Sequence, residues 1–304
     1  MTDLEPFQFE LEGVVFGIDT PFFTKDDGFA PGGMSWRTQS QDMPTDGARL
    51  FGKDRQAAPT WSWSLYTDGE DVESALRHLS QLQKAWRAGR IRERAGEVVE
   101  LRYCLVKGVT RRISGRPGSF SAPMSNLLLN GVAAITADFD CSDGLTYSEH
   151  EESVKLTLTA ETSDEGFMVH EDGFDVPIEL AAAEGQRTSR IIVGGDEPTW
   201  CTITFKGPVY RPGLSIDEGV WKFMLDGTLA YDRSATLDTR PWRRTILLDG
   251  GASVGGWYRG PKMAKILLEP GAHDLTFTGD DPTNTATCTV TWPTASGSLQ
   301  EVAG

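Results

Sequence analysis

Histidine and cysteine are scarce in this chain, and neither comes in the close pairs that metal sites use. The histidines are His78, His150, His170 and His273, and the cysteines are Cys104, Cys141, Cys201 and Cys288, with no C-x-x-C spacing among them. Zinc centres need ligands that neighbour one another in sequence, so zinc chemistry is not indicated. The thiols read as small buried side chains. A Cys104–Cys141 bridge is open to them, but nothing in the pattern supports it. No apolar run approaches the length that crosses a bilayer. The opening Met1-Thr-Asp-Leu-Glu-Pro is acidic where a secretion signal would be basic and then apolar. The expectation is a chain made and kept in a soluble compartment, with no membrane insertion.

Catalytic signatures are thin. There is no phosphate loop, no dinucleotide glycine fingerprint and no H-E-x-x-H. Asp138-Phe-Asp140-Cys-Ser142-Asp143-Gly144, with Glu149 at the twelfth place, comes near a calcium loop. Asp143 stands where such a loop wants glycine, so a metal is not expected there. Asp280-Asp281 could be a carboxylate pair, but Gly279-Asp-Asp-Pro is turn chemistry. No cofactor is implied and no catalytic residue stands out.

Charge is one-sided. The net is -15, which disfavours a grip on nucleic acid, because phosphate contacts need Lys and Arg. Between Lys84 and Arg116, however, ten basic residues meet three acidic ones, a local net of +7 against -22 elsewhere. Lys84, Arg87, Arg90, Arg111, Arg112 and Arg116 are the candidates for one half of a charge-complementary contact, the other half being acidic surface on a neighbouring copy. A solvated basic face is the plainer alternative.

What is present is mostly alternation. Phe7, Phe9 and Leu11, then Trp61, Trp63 and Leu65, then Val99, Leu101 and Tyr103 each occupy every second position, as half-buried strands do. Asp71 to Arg87 is the one stretch able to hold a long amphipathic helix. Val72, Ala75, Leu76, Leu79, Leu82 and Trp86 fall on its apolar stripe, acids stand at its start, and Gly89 is the expected stop. Lys25-Asp-Asp-Gly reads as a turn and Asn130-Gly131 as a hairpin. A boundary is expected near Glu149 to Glu152. Beyond it, alternating runs from Val154 to Trp292, bounded by Gly and Pro turns, predict an antiparallel sandwich. Trp257 and Tyr258 follow Gly255-Gly256 on an expected loop and could stack on a sugar ring, with local packing as the bland alternative. From Ala295 the chain is small and polar and reads as a loose end.

In order, several segments resemble the distal tail proteins of long, non-contractile-tailed phages, often labelled minor tail proteins in phages of actinobacteria. They are Gly13-Val-Val-Phe-Gly-Ile-Asp-Thr-Pro, Trp61-Ser-Trp-Ser with the helix to Trp86, Gly115-Arg-Pro-Gly-Ser-Phe and Phe139-Asp-Cys-Ser-Asp-Gly-Leu-Thr-Tyr. Gly207-Pro-Val-Tyr-Arg-Pro-Gly, Leu237-Asp-Thr-Arg-Pro-Trp-Arg-Arg and Leu267-Leu-Glu-Pro-Gly follow. The resemblance implies a mainly β chain: residues 1–150 as a ring-forming, tail-tube-like domain with a single helix, 151–298 as a galectin-like sandwich, and 299–304 as a flexible tail. It implies a virion protein of the tail tip, forming a hexameric ring between the tail tube protein and the hub, near the tape measure protein. The outer domain would present itself to fibres or other minor tail proteins, and the ring would leave a channel for DNA. An acidic lining would repel phosphates and not trap them. The other class of function that fits is a glycan-binding or glycan-cleaving accessory protein working at the host surface through Trp257 and Tyr258.

Overall fold

The computed structural model describes residues 3–33, 35–43, 48–158 and 187–299. Its ladders are antiparallel, and its side chains gather into two large apolar cores. The first core is aromatic. Phe9 and Leu11 point into it from the strand Gln8–Leu11, and Trp61, Trp63 and Leu65 from the strand Thr60–Thr67. The rings meet edge to face, Phe9 on Trp63 at 5.4 Å and Trp63 on Trp86 at 5.9 Å, the arrangement that aromatic quadrupoles favour.

One long helix, Val72–Arg87, closes this core. Asp71 starts it with a capping box: its carboxylate accepts from the Ser74 N–H at 2.8 Å, and the Ser74 hydroxyl accepts from the Asp71 N–H at 3.0 Å. Ala75, Leu79, Leu82, Ala85 and Trp86 are its buried face, and the Trp86 indole N–H donates to the Asp138 carbonyl at 2.8 Å. Leu76, expected on that face, is exposed. The helix also ends one residue before the expected glycine. Ala88 takes the left-handed conformation (φ 40°), while Gly89 opens the short turn Gly89–Arg92. Arg92 makes this stop workable, because its guanidinium donates back to the carbonyls of Arg87 and Trp86.

Two expected turns are something else. Asn130-Gly131 ends a 3-10 helix, Asn126–Asn130, instead of making a hairpin. Gly131 (φ 76°) is obligatory there because a Cβ would stand 1.8 Å from the Gly69 carbonyl oxygen. Lys25-Asp-Asp-Gly28 lies inside the strand Phe22–Ala30, whose register against Thr60–Thr67 shifts between Thr24 and Phe29. Residues 25–28 stand opposite Ser64 alone, an irregularity inside one strand and not a turn between two.

The second core lies between two sheets. One holds the strands Thr202–Lys206, Ser234–Asp238 and Thr287–Ser296, and the other holds Val209–Ile216, Trp221–Leu225 and Gly271–Asp280. Phe205 of the first meets Phe277 and Phe223 of the second at 5.7 and 6.0 Å. The expected boundary at Glu149 to Glu152 falls inside a continuous strand, Thr146–Thr157. This strand pairs with Val109–Ser121 at Tyr147 and Ser148, and with Thr287–Ser296 along most of its length. The chain after Ala295 is docked as far as Leu299, contrary to a loose end. Ser298 and Leu299 carbonyls accept from the hydroxyls of Thr146 and Tyr103 at 2.8 and 2.6 Å. Residues 300–304 lie outside the described residues.

Trp86→Ala is expected to cost about 3–5 kcal/mol, since it empties the centre of the aromatic core. Asp71→Ala should cost about 1 kcal/mol through loss of the cap alone. Denaturant unfolding of both variants measures the contrast.

Candidate functional site

The basic window does not form one outward face. Lys84 and Arg87, on the last turns of the helix, and Arg90, just past it, are exposed. They rim a groove of about 630 Å³ whose floor is Val14, Ala85, Ile91 and Val99. Arg111 is buried and donates to the Thr146 hydroxyl and carbonyl, both at 3.1 Å. Arg112 donates to Glu100 at 3.0 Å and Glu151 at 2.6 Å, and Arg116 to the carbonyls of Glu97 and Arg94. Arg102 is held between Glu10 and Glu149. The expectation of a common rim-accessible surface is therefore corrected. The fold turns Arg102 and Arg112 toward acids, and Arg111 and Arg116 toward hydroxyl and carbonyl oxygens, so counting charge along the sequence overstates what faces outward.

One exposed feature is absent from the sequence-based expectations. Between the strands Phe22–Ala30 and Thr60–Thr67 the chain makes two nested ribbons, Trp36–Arg37 with Arg55–Gln56 and Gln41–Asp42 with Arg49–Leu50. Trp36, Leu50 and Phe51 on this arm are 58%, 57% and 74% exposed, and no described residue from 32 to 58 is buried. A lone two-stranded ribbon is marginal in water, and this one presents Trp36, Leu50 and Phe51 to solvent. The signal was available as Trp36, Leu50 and Phe51 in a segment without strand alternation.

At the base of the arm a cavity of about 190 Å³ is lined by Gly32, Pro59, Trp61, Cys141, Asp143 and Leu299. Asp143 accepts from the Tyr147 hydroxyl at 2.8 Å and the Leu145 N–H at 3.2 Å. Burial pushes its carboxyl from the ordinary 3.8 up to about 6. The carboxylates of the near-calcium sequence diverge: Asp140 accepts from Thr60, Asp138 from Ser119 and Asp143 from Tyr147. Among the described residues no group of three or more His, Cys, Asp or Glu is placed to hold a metal ion. All four cysteines are free thiols, so Cys104 and Cys141 are not bridged.

Trp257 and Tyr258 are packed locally. The Trp257 ring covers Gly227, where a Cβ would stand 2.4 Å from it. Tyr258 stacks on Phe223 at 5.8 Å and donates its hydroxyl to the Pro261 carbonyl. Asp281 accepts from the N–H groups of Thr283 and Ala286, the turn role its sequence suggests. The expectation that the sequence holds no G-x-S-x-G elbow is corrected in its letter, since Gly251-Ala-Ser253-Val-Gly255 has that spacing. Ser253 sits in a two-residue edge strand that leads into a single 3-10 turn, where an elbow requires a strand running into a helix. No helix among the described residues is long and apolar enough to cross a membrane.

No protein-family profile matches the sequence, and no curated protein matches it. Solved structures do. The SPP1 Dit protein (gp 19.1), titled a paradigm of the hub adsorption apparatus in phages infecting Gram-positive bacteria, superposes with a TM-score of 0.58. That match covers 96% of this chain and 99% of that one at 12% identity. The chain has the fold of a phage distal tail protein. Chains from the phage P2 baseplate in its activated conformation, with calcium and with strontium, each give a TM-score of 0.54. These cover 93% of this chain and 97% of theirs, at 12% and 13% identity. The distal tail fold thus extends over both cores.

Asp143 gives a pH prediction. With its pKa raised in the folded chain, the folded state holds more protons than the unfolded one between about pH 4 and 6, so stability falls as pH rises through that window. Asp143→Asn should remove about 1–3 kcal/mol of that fall. Urea unfolding of both proteins across this range measures it, and parallel pH profiles would disprove the assignment.

Proposed function

We propose that this chain is a structural protein of a phage tail tip, working by shape and contact and not by catalysis. The observation that carries the reading is a distal tail fold matched along nearly the whole length of both chains. A ring built head to tail needs two unlike surfaces on each copy. The apolar arm and the groove rimmed by Lys84, Arg87 and Arg90 are of different chemistry and lie on different elements, which suits that need. On this reading six copies close a ring around a channel for DNA, between the tail tube protein and the hub, near the tape measure protein. Residues 1–150 form the ring, and 151–298 act as the outward, galectin-like domain that meets fibres or minor tail proteins. The net charge of -15 suits a conduit that must not hold phosphates. The site of action is the virion tail. Arg111, Arg112 and Arg116 support the subunit from within, and the contact is assigned to the arm and the exposed basic trio. No observation favours the glycan reading, since Trp257 and Tyr258 spend ring faces on their own fold.

Leu50→Asp with Phe51→Asp should abolish self-association while shifting subunit stability by no more than about 0.5 kcal/mol. Sedimentation velocity and thermal unfolding read the two effects. Oligomers unchanged by the pair would remove the arm from the contact. Reversing Lys84, Arg87 and Arg90 to Glu should slow association and reverse its salt dependence, since exposed charges steer encounter more than they hold it. Electron microscopy down the particle axis decides the whole reading: a solitary molecule without a pore, in the presence of its tail partners, would end it.

A further inference from the structure

The stretch Leu237-Asp-Thr-Arg-Pro-Trp-Arg-Arg belongs to neither the arm nor the groove. It lies where the two cores meet. A third, small aromatic cluster is found there: Tyr147 and Trp200 are buried, and Trp242 is half-buried against them. Their ring centroids are 5.7, 6.3 and 6.5 Å apart. Two guanidinium groups lie over the Trp200 ring. Arg112, from the strand Val109–Ser121 of the first half, has its Cζ 6.0 Å from the centroid, and Arg240 of the second half has its Cζ at 5.5 Å.

Neither cation is loose. Arg112 is fixed by Glu100 and Glu151, and Arg240 donates to both oxygens of Asp238 at 2.9 and 3.0 Å, with Arg243 beside it at 3.6 Å. Three carboxylates offset the repulsion between two like charges sharing one ring, and each charge keeps its favourable contact with the ring face. Gly96 of the first half completes the fit. At φ 78° it has no side chain to offer, and a Cβ there would stand 2.9 Å from the Trp242 carbonyl oxygen. Between domains that swing, the connecting chain is exposed and few contacts cross it. Here the crossing segment is a strand in mid-sheet.

We propose that Arg112, Trp200 and Arg240 form a clasp that fixes the sandwich against the first half, so that the two cores move and unfold as one body. Trp200 is the positioning residue, because both cations act through its ring. The outer surface then keeps one orientation relative to the helix-bearing half, and a load on the sandwich reaches that half undamped. The clasp is a property of the single chain and stands or falls independently of ring formation.

The test is scanning calorimetry of the full chain and of Trp200→Leu, which keeps the site apolar but removes the ring. The clasp requires one cooperative transition in the unaltered protein and two, separated by several degrees, in the variant. Small-angle scattering should show the variant with a larger radius of gyration while both cores stay folded. If Trp200→Leu fails to fold, Arg240→Met, which deletes one charge over the ring, is read for the same split. Two transitions in the unaltered protein, or a single one in the folded variant with scattering unchanged, would overturn the proposal.

Discussion

The strand Thr146–Thr157 is the constraint on which the rest of the structure depends. Near its start it pairs on one side with Val109–Ser121 of the aromatic core, and on the other side it pairs with Thr287–Ser296 along most of its length. These strands belong to one continuous sheet, and a strand cannot slip register in one of its ladders without slipping in the other, because a one-residue shift turns every side chain to the opposite face. Tyr147 and Leu156 are buried on this one element, one at the junction cluster and one in the sandwich core. Arg102 adds to the restraint by holding Glu149 of this strand and Glu10 of the first one. A buried ion pair of this kind contributes little net stability, but losing one partner would leave a charge stranded, so it punishes misalignment.

Much of this was legible in the chain. Trp61, Trp63 and Leu65, or Ile203 and Phe205, announce strands because one buried face imposes a period of two, and the structure buries all five. Asp71 and the stripe to Trp86 announce the helix for equally local reasons. The failures have a common cause, which is that distant partners decide them. Asn130-Gly131 suits a hairpin locally, yet the Gly69 backbone lies against Gly131 and selects a helix end. Arg111 and Arg112 look like surface cations until Thr146, Glu100 and Glu151 arrive from other strands. The arm was missed because Trp36, Leu50 and Phe51 stay largely exposed among the described residues. A period arises only where something is buried, and no period marks a surface completed elsewhere.

The two halves differ in how they are finished. The sandwich closes on its own aliphatic and aromatic faces. The first core is sealed by chain from far away: Leu299 packs against it, with its carbonyl held by the Tyr103 hydroxyl. That last contact has a consequence for biosynthesis. During translation the helix-bearing half emerges well before Leu299, which helps to seal its core. An incomplete nascent chain therefore lacks part of the surface it needs to be a finished subunit. The order of synthesis itself keeps the aromatic core open until the chain that seals it has been made.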